Sequence, residues 1–131
     1  MADSSEKKTM KALKYNESGV VAEVLKVVEA DIPEPAEGQV LVRVVAASIN
    51  PIDYKLIEGA FGKKSSEDGL AVGSDFSGVI EALGAGVEGF KVGDEIMGNG
   101  LGNGPLAEYV ALPAYKVVAK PGNISFEERC V

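Results

Sequence analysis

The stretch Phe76-Ser77-Gly78-Val79-Ile80-Glu81-Ala82-Leu83-Gly84-Ala85-Gly86-Val87-Glu88-Gly89-Phe90-Lys91-Val92-Gly93-Asp94-Glu95-Ile96-Met97-Gly98 decides between two folds. Its middle, Gly84-Ala85-Gly86-Val87-Glu88-Gly89, satisfies the G-x-G-x-x-G pattern of a dinucleotide-binding turn and comes after a predicted strand. That turn works only if the third glycine opens a helix whose first amides hold a pyrophosphate. Here the next residues are Phe90-Lys91-Val92-Gly93-Asp94-Glu95, which read as a turn and a second strand. The pattern is therefore a hairpin connection, and the fold it belongs to is mainly β.

The rest of the chain agrees. Apolar residues come in short runs bounded by turn residues at 10–15, 24–28 and 40–49, then at 76–83, 94–97, 107–112 and 115–119, and each predicts a strand. Between the second and third runs, Asp31-Ile32-Pro33-Glu34-Pro35-Ala36-Glu37-Gly38 holds two prolines and predicts a surface connection. Residues 51–59 carry Ile52, Leu56 and Ile57 at helical spacing, with Asn50 as N-cap, Pro51 at the first helical position and Gly59 at the end. One or two helical turns are expected there. Residues 63–69 are charged or small and predict a mobile loop. The second glycine-rich stretch, Gly98-Asn99-Gly100-Leu101-Gly102-Asn103-Gly104, lacks the Lys-Ser/Thr ending of a phosphate loop and reads as a flexible connection. Short strands with regular turn signals imply a barrel or sandwich, and nothing supports the alternating helices of a doubly wound parallel sheet.

Composition narrows the function classes. The 131 residues suit one domain, and a net charge of −7 offers no basic patch, which excludes a nucleic-acid role and disfavours anionic lipid. Residues 1–9 are polar and read as a frayed tail rather than a signal or anchor; no membrane association is expected. The single cysteine, Cys130, cannot form an internal disulfide, so a reducing, cytoplasmic setting is expected. The chain has no histidine, which leaves too few donors for a zinc site and no imidazole base for a hydrolytic triad. Adjacent carboxylates such as Glu67-Asp68 and Glu127-Glu128 read as solvated polar surface.

Three segments in order resemble the N-terminal domain of the medium-chain dehydrogenase/reductase superfamily, the fold called GroES-like. They are Val44-Val45-Ala46-Ala47-Ser48-Ile49-Asn50-Pro51-Ile52-Asp53-Tyr54-Lys55, Gly73-Ser74-Asp75-Phe76-Ser77-Gly78-Val79-Ile80-Glu81-Ala82-Leu83-Gly84, and Phe90-Lys91-Val92-Gly93-Asp94-Glu95-Ile96-Met97-Gly98. The likeness implies a GroES-like, partly open β-barrel over residues 10–124 with one or two short helices. The zinc alcohol dehydrogenases of the superfamily carry Cys and His in the segment that here reads Ser48-Ile49-Asn50-Pro51-Ile52-Asp53, and a His-Glu pair at Ser74-Asp75. With neither present, the chain resembles the zinc-free quinone and enone oxidoreductases, in which Asn-Pro-x-Asp is usual. Enoyl-thioester reductases of that branch have tyrosine eleven residues past the Asn, where this chain has Phe61.

The resemblance implies NADPH as cofactor, no zinc, and a small quinone or enone as substrate. It implies no catalytic side chain in this chain. Asn50 and Lys55 would contact cofactor or substrate, and Tyr54 and Phe61 would shape an apolar pocket. Each has a plainer reading as well: Asn50 as an N-cap, Lys55 as a solvated helix residue, with Asp53 expected to cap the helix. In the family the ending Lys120-Pro121-Gly122-Asn123-Ile124-Ser125-Phe126 leads into a Rossmann domain, so residues 125–131 read as the truncated start of a linker helix. The expectation is then the substrate-side half of an NADPH-dependent oxidoreductase that binds NADPH weakly and does not turn over by itself, with self-association or a Rossmann-domain partner. The alternative is a non-catalytic binding or interaction module.

Overall fold

The computed structural model describes residues 8–60, 62, 65–123 and 125. The frayed tail expected at 1–9 falls mostly outside them, and so does the linker expected at 125–131, including Cys130 and Glu127-Glu128. In chain order the elements are β1 (Thr9–Glu17), α1 (Val21–Val24), β2 (Lys26–Asp31), β3 (Gln39–Ala47), α2 (Pro51–Glu58), β4 (Ser65–Ala71), β5 (Asp75–Leu83), β6 (Glu95–Asn99), β7 (Tyr109–Pro113), a 3-10 turn (Ala114–Lys116) and β8 (Val117–Ala119). All strand pairs are antiparallel. They form a three-stranded sheet, β2-β1-β4, and a five-stranded sheet, β7-β3-β5-β6-β8. An isolated bridge from Ala12 to Ala107, with Leu13 N–H donating to Leu106 O and Glu108 N–H to Lys11 O, ties one sheet to the other without closing a barrel.

Alternation along the strands builds the main core. Val40 and Val42 on β3, Phe76 and Ile80 on β5, Ile96 on β6, Val110 and Leu112 on β7 and Val117 on β8 are all buried in one cluster. Period-two spacing places such residues on one face of the sheet. A second cluster joins Tyr15 of β1, Ile57 of α2 and Val72 just before β5, with Leu70 and Leu106 packed against it. Helix α2 is held to the sheets through this cluster.

The glycine pattern is a turn between β5 and β6. Ile80 N–H donates to Asp94 O at 2.9 Å and Gly93 N–H to Ile80 O at 2.8 Å, so the strand after the glycines folds back on the strand before them. Gly84 N–H donates to Gln39 O at 2.7 Å, and a Cβ at Gly84 would collide with Ala36 O. The glycine is there because two backbones meet, and no helix comes after it.

Three local expectations differ from the structure. Residues 65–71, expected within or beside a mobile loop, form β4 and pair with β1 through Tyr15↔Leu70 and Glu17↔Ser65. The Ser-Ser-Glu-Asp-Gly stretch has little strand propensity, so the second edge of β1 imposes the conformation. Residues 21–24 form a single helical turn before β2, so the strand expected to start at 24 starts at Lys26. The strand expected at 115–119 starts with a 3-10 turn and is paired only over Val117–Ala119.

Replacing Gly84 by Ala is expected to cost about 2–3 kcal/mol, as overpacking against rigid backbone does. Gly86→Ala meets open space and only carries the strain of its φ of +80°, about 1 kcal/mol. Urea unfolding of the two variants checks the ranking.

Candidate functional site

The first turn of α2 meets the start of β5. Asn50 is the N-cap, Pro51 opens the helix, and Gly59 ends it in the left-handed conformation at φ +88°. Asp53 accepts the Asn50 backbone N–H on Oδ2 at 2.7 Å, which is the cap expected of it. The same Oδ2 accepts from Ser74 Oγ at 3.2 Å. Asn50 Nδ2 donates to Ser74 Oγ at 2.8 Å and to Asp75 Oδ2 at 3.0 Å. Asp53 and Ser74 are 3% and 1% exposed, so this network lies inside the protein.

Two carboxylates fix the direction of every bond in it. A carboxylate only accepts, so the atom of Asn50 facing Asp75 is the NH2, and the hydrogen of Ser74 points at Asp53. Both amide hydrogens of Asn50 are turned inward, and any ligand contact through this residue falls on its carbonyl oxygen. Tyr54 is 42% exposed, and Lys55 is also exposed on the same helix. The structure brings these three together along one short helix. Phe61 lies outside the described residues.

The second glycine stretch is tied down on both sides, in contrast to the flexible connection expected. Gly100 N–H donates to Ser74 O at 2.7 Å, and Asn103 N–H to Gly100 O at 2.7 Å. Leu101 N–H donates to Asn99 Oδ1 at 2.9 Å. From the 3-10 turn, Lys116 Nζ donates to Asn103 Oδ1 at 2.8 Å and to Leu101 O at 3.3 Å. Leu101 is thereby placed near α2.

Sequence reading gives no role to Ser74, Asp75, Tyr15 or Leu101. For Ser74 and Asp75 the available signal is their place in the segment where zinc enzymes carry His-Glu; for Tyr15 and Leu101 there is none. A cavity of about 150 Å³ lies beside Asp53, its lining including Tyr15, Leu56, Ile57, Leu70, Val72 and Leu101. Burial pushes the Tyr15 phenol above its ordinary value of 10.0. The folded chain then holds that proton at pH values where the unfolded chain has lost it. The resulting stability is fully present below pH 10.0 and is lost as pH rises through the folded-state value. Tyr15→Phe lacks this loss, so wild type is expected to weaken relative to the variant as pH rises above 10.0, read by urea unfolding.

Residues 36–122 match the family model described as alcohol dehydrogenase GroES-like domain. The chain is 39% identical over 97% of its length to the chloroplastic NADPH-dependent alkenal/one oxidoreductase of Arabidopsis thaliana, of which it covers 35%. It is also 39% identical, over 91% of its length, to the 2-methylene-furan-3-one reductase of Solanum lycopersicum, covering 33% of that protein. Among solved structures, the quinone oxidoreductase from Coxiella burnetii superposes with a TM-score of 0.79 at 36% identity, over 94% of this chain and 40% of that one. The chain thus spans little more than a third of the relatives it matches, and the matched part is their N-terminal portion. On its fold and on these matches, the chain belongs to the GroES-like domain family of the medium-chain dehydrogenase/reductase superfamily.

Proposed function

We propose that these residues form the substrate-side half of a zinc-free, NADPH-dependent reductase of enones or quinones. The carrying observation is the hydrogen bond from Asn50 Nδ2 to Ser74 Oγ at 2.8 Å. The two segments in which zinc enzymes of the superfamily carry metal ligands are here bonded directly to each other, and this supports the zinc-free reading. Ile49 and Tyr54, 51% and 42% exposed on either side of Asn50 in the sequence, add apolar surface next to this locked polar pair, which suits a flat, weakly polar substrate.

For NADPH the described residues fit only in part. A pyrophosphate needs a helix N-terminus behind a glycine turn, and Gly84–Gly89 leads into β6. No step through the dinucleotide is assigned to these residues. Their part is to hold the substrate, exclude water from one side of it and keep Asn50 in one orientation.

Two experiments test the reading. Calorimetry with the 131 residues alone is expected to show no micromolar NADPH binding; micromolar binding would mean that these residues contain a cofactor site of their own. Residues 8–123 exchanged into the tomato 2-methylene-furan-3-one reductase are expected to support NADPH-dependent enone reduction. Asn50→Ala in that chimera should lower kcat/KM by about tenfold, the scale of one lost hydrogen bond. A folded chimera that binds NADPH but reduces neither enone nor quinone would refute the reading.

A further inference from the structure

The dipeptide Asn-Gly occurs twice in the second glycine stretch, at Asn99-Gly100 and Asn103-Gly104, and the fold treats the two pairs differently. Asparagine before glycine carries a reaction of its own. The backbone nitrogen of the next residue can attack the side-chain amide carbon, and glycine has no side chain to hinder the approach. Asn50 is barred from it, since Pro51 has no N–H to lose.

At the first pair the nitrogen is withheld. Asn99 ends β6 opposite Asp75, and the buried Gly100 donates its N–H to Ser74 O at 2.7 Å. Gly100 is also closely packed: an added Cβ would lie 3.2 Å from Pro105 and 3.3 Å from Phe76. An amide in a buried hydrogen bond keeps its proton, and close packing resists the turn of the chain that attack requires.

The second pair is open to the reaction. Asn103 and Gly104 are half-buried, and Gly104 N–H donates to no acceptor among the described residues. Both border a cavity of about 210 Å³, which has room for water. The side chain of Asn103 also meets a cation, since Lys116 Nζ donates to its Oδ1 at 2.8 Å. An ammonium only donates, so the atom it meets is the carbonyl oxygen. There it polarises the carbonyl and stabilises the negative charge that gathers on the oxygen when a nucleophile adds.

We propose that Asn103 is a site of self-modification, where Lys116 promotes ring closure onto Gly104 while Asn99 stays intact. Hydroxide from solvent removes the Gly104 amide proton, the nitrogen bonds to Asn103 Cγ, and charge collects on Oδ1 beside Lys116. Collapse breaks the bond from Cγ to Nδ2. Water gives the departing nitrogen a proton, so ammonia leaves, hydroxide is regenerated and a cyclic succinimide remains. Water then opens either imide carbonyl and gives aspartate or isoaspartate at position 103. Aspartate sets a carboxylate against the Lys116 ammonium; isoaspartate lengthens the main chain of the loop by one carbon. The assignment does not depend on the reductase reading.

Incubation of the purified chain in heavy-oxygen water, followed by peptide mass spectrometry, tests it. In urea both pairs are expected to lose ammonia at similar rates, because local sequence then decides. In the folded chain Asn103 should react about tenfold faster than Asn99, the worth of one hydrogen bond withheld from attack, with one solvent oxygen gained and isoaspartate among the products. Lys116→Met should slow Asn103 about tenfold, as the loss of a donor to a developing oxyanion does, and Lys116→Arg should keep the fast reaction. Continued protection of Asn99 in both variants reports that the loop is folded. Equal rates at the two sites in the folded chain, no ammonia lost from Asn103, or a rate there that Lys116→Met leaves unchanged or raises would each overturn the proposal.

Discussion

A buried carboxylate governs the arrangement around α2. Asp53 is 3% exposed, and a carboxylate taken out of water must be met by donors. It is met by a backbone N–H from its own helix cap and by the hydroxyl of Ser74, the residue just before β5. One bond makes the helix begin where it does, and the other fastens that beginning to the five-stranded sheet. Ser74 passes the constraint on: its oxygen receives Asn50, and its backbone carbonyl receives Gly100 of the glycine loop. A helix, a strand and a loop distant in sequence are thus set relative to one another by a few polar atoms with a fixed order of donors and acceptors.

The sheets supply the frame against which this order holds. β3 lies between β7 and β5, and its inward residues Val40 and Val42 sit in the main cluster with Phe76 and Ile80. The second cluster, around Tyr15, Ile57 and Val72, anchors the helix on its apolar side while Asp53 anchors its N-terminus. Apolar burial gives the helix a place, and the directional bonds give it an orientation. Lone apolar contact would leave α2 free to rotate within its groove.

The strands of the five-stranded sheet are legible in the sequence because each carries a Val- or Ile-rich run closed by glycine or proline, and period two is a strong signal. The helix is legible from its ends, Asn50-Pro51 and Gly59. The dinucleotide-like glycines are legible as a turn because they lead into a strand and not into a helix. β4 is hidden, since Ser65 to Gly69 pair with β1 for reasons that lie in β1. The polar network is hidden too: Asn50 and Ser74 are far apart in sequence, and only the register of β5 brings them within 2.8 Å. Tyr15 looks like any inward strand residue, because its packing against Ile57 and Val72 depends on neighbours that no local pattern names.

The lysine that fastens the glycine loop has a consequence for timing. Lys116 holds Leu101 O and Asn103 Oδ1 from the turn ahead of the edge strand β8. Moving Leu101 away from the cavity it lines requires one half-buried ammonium to release its acceptors and a few glycine dihedrals to turn. Such side-chain and loop motions run in nanoseconds to microseconds, far faster than separating paired strands. Movement of Leu101 is therefore paced by a latch outside both sheets, and the frame that gives the interior its shape stays assembled while the loop shifts.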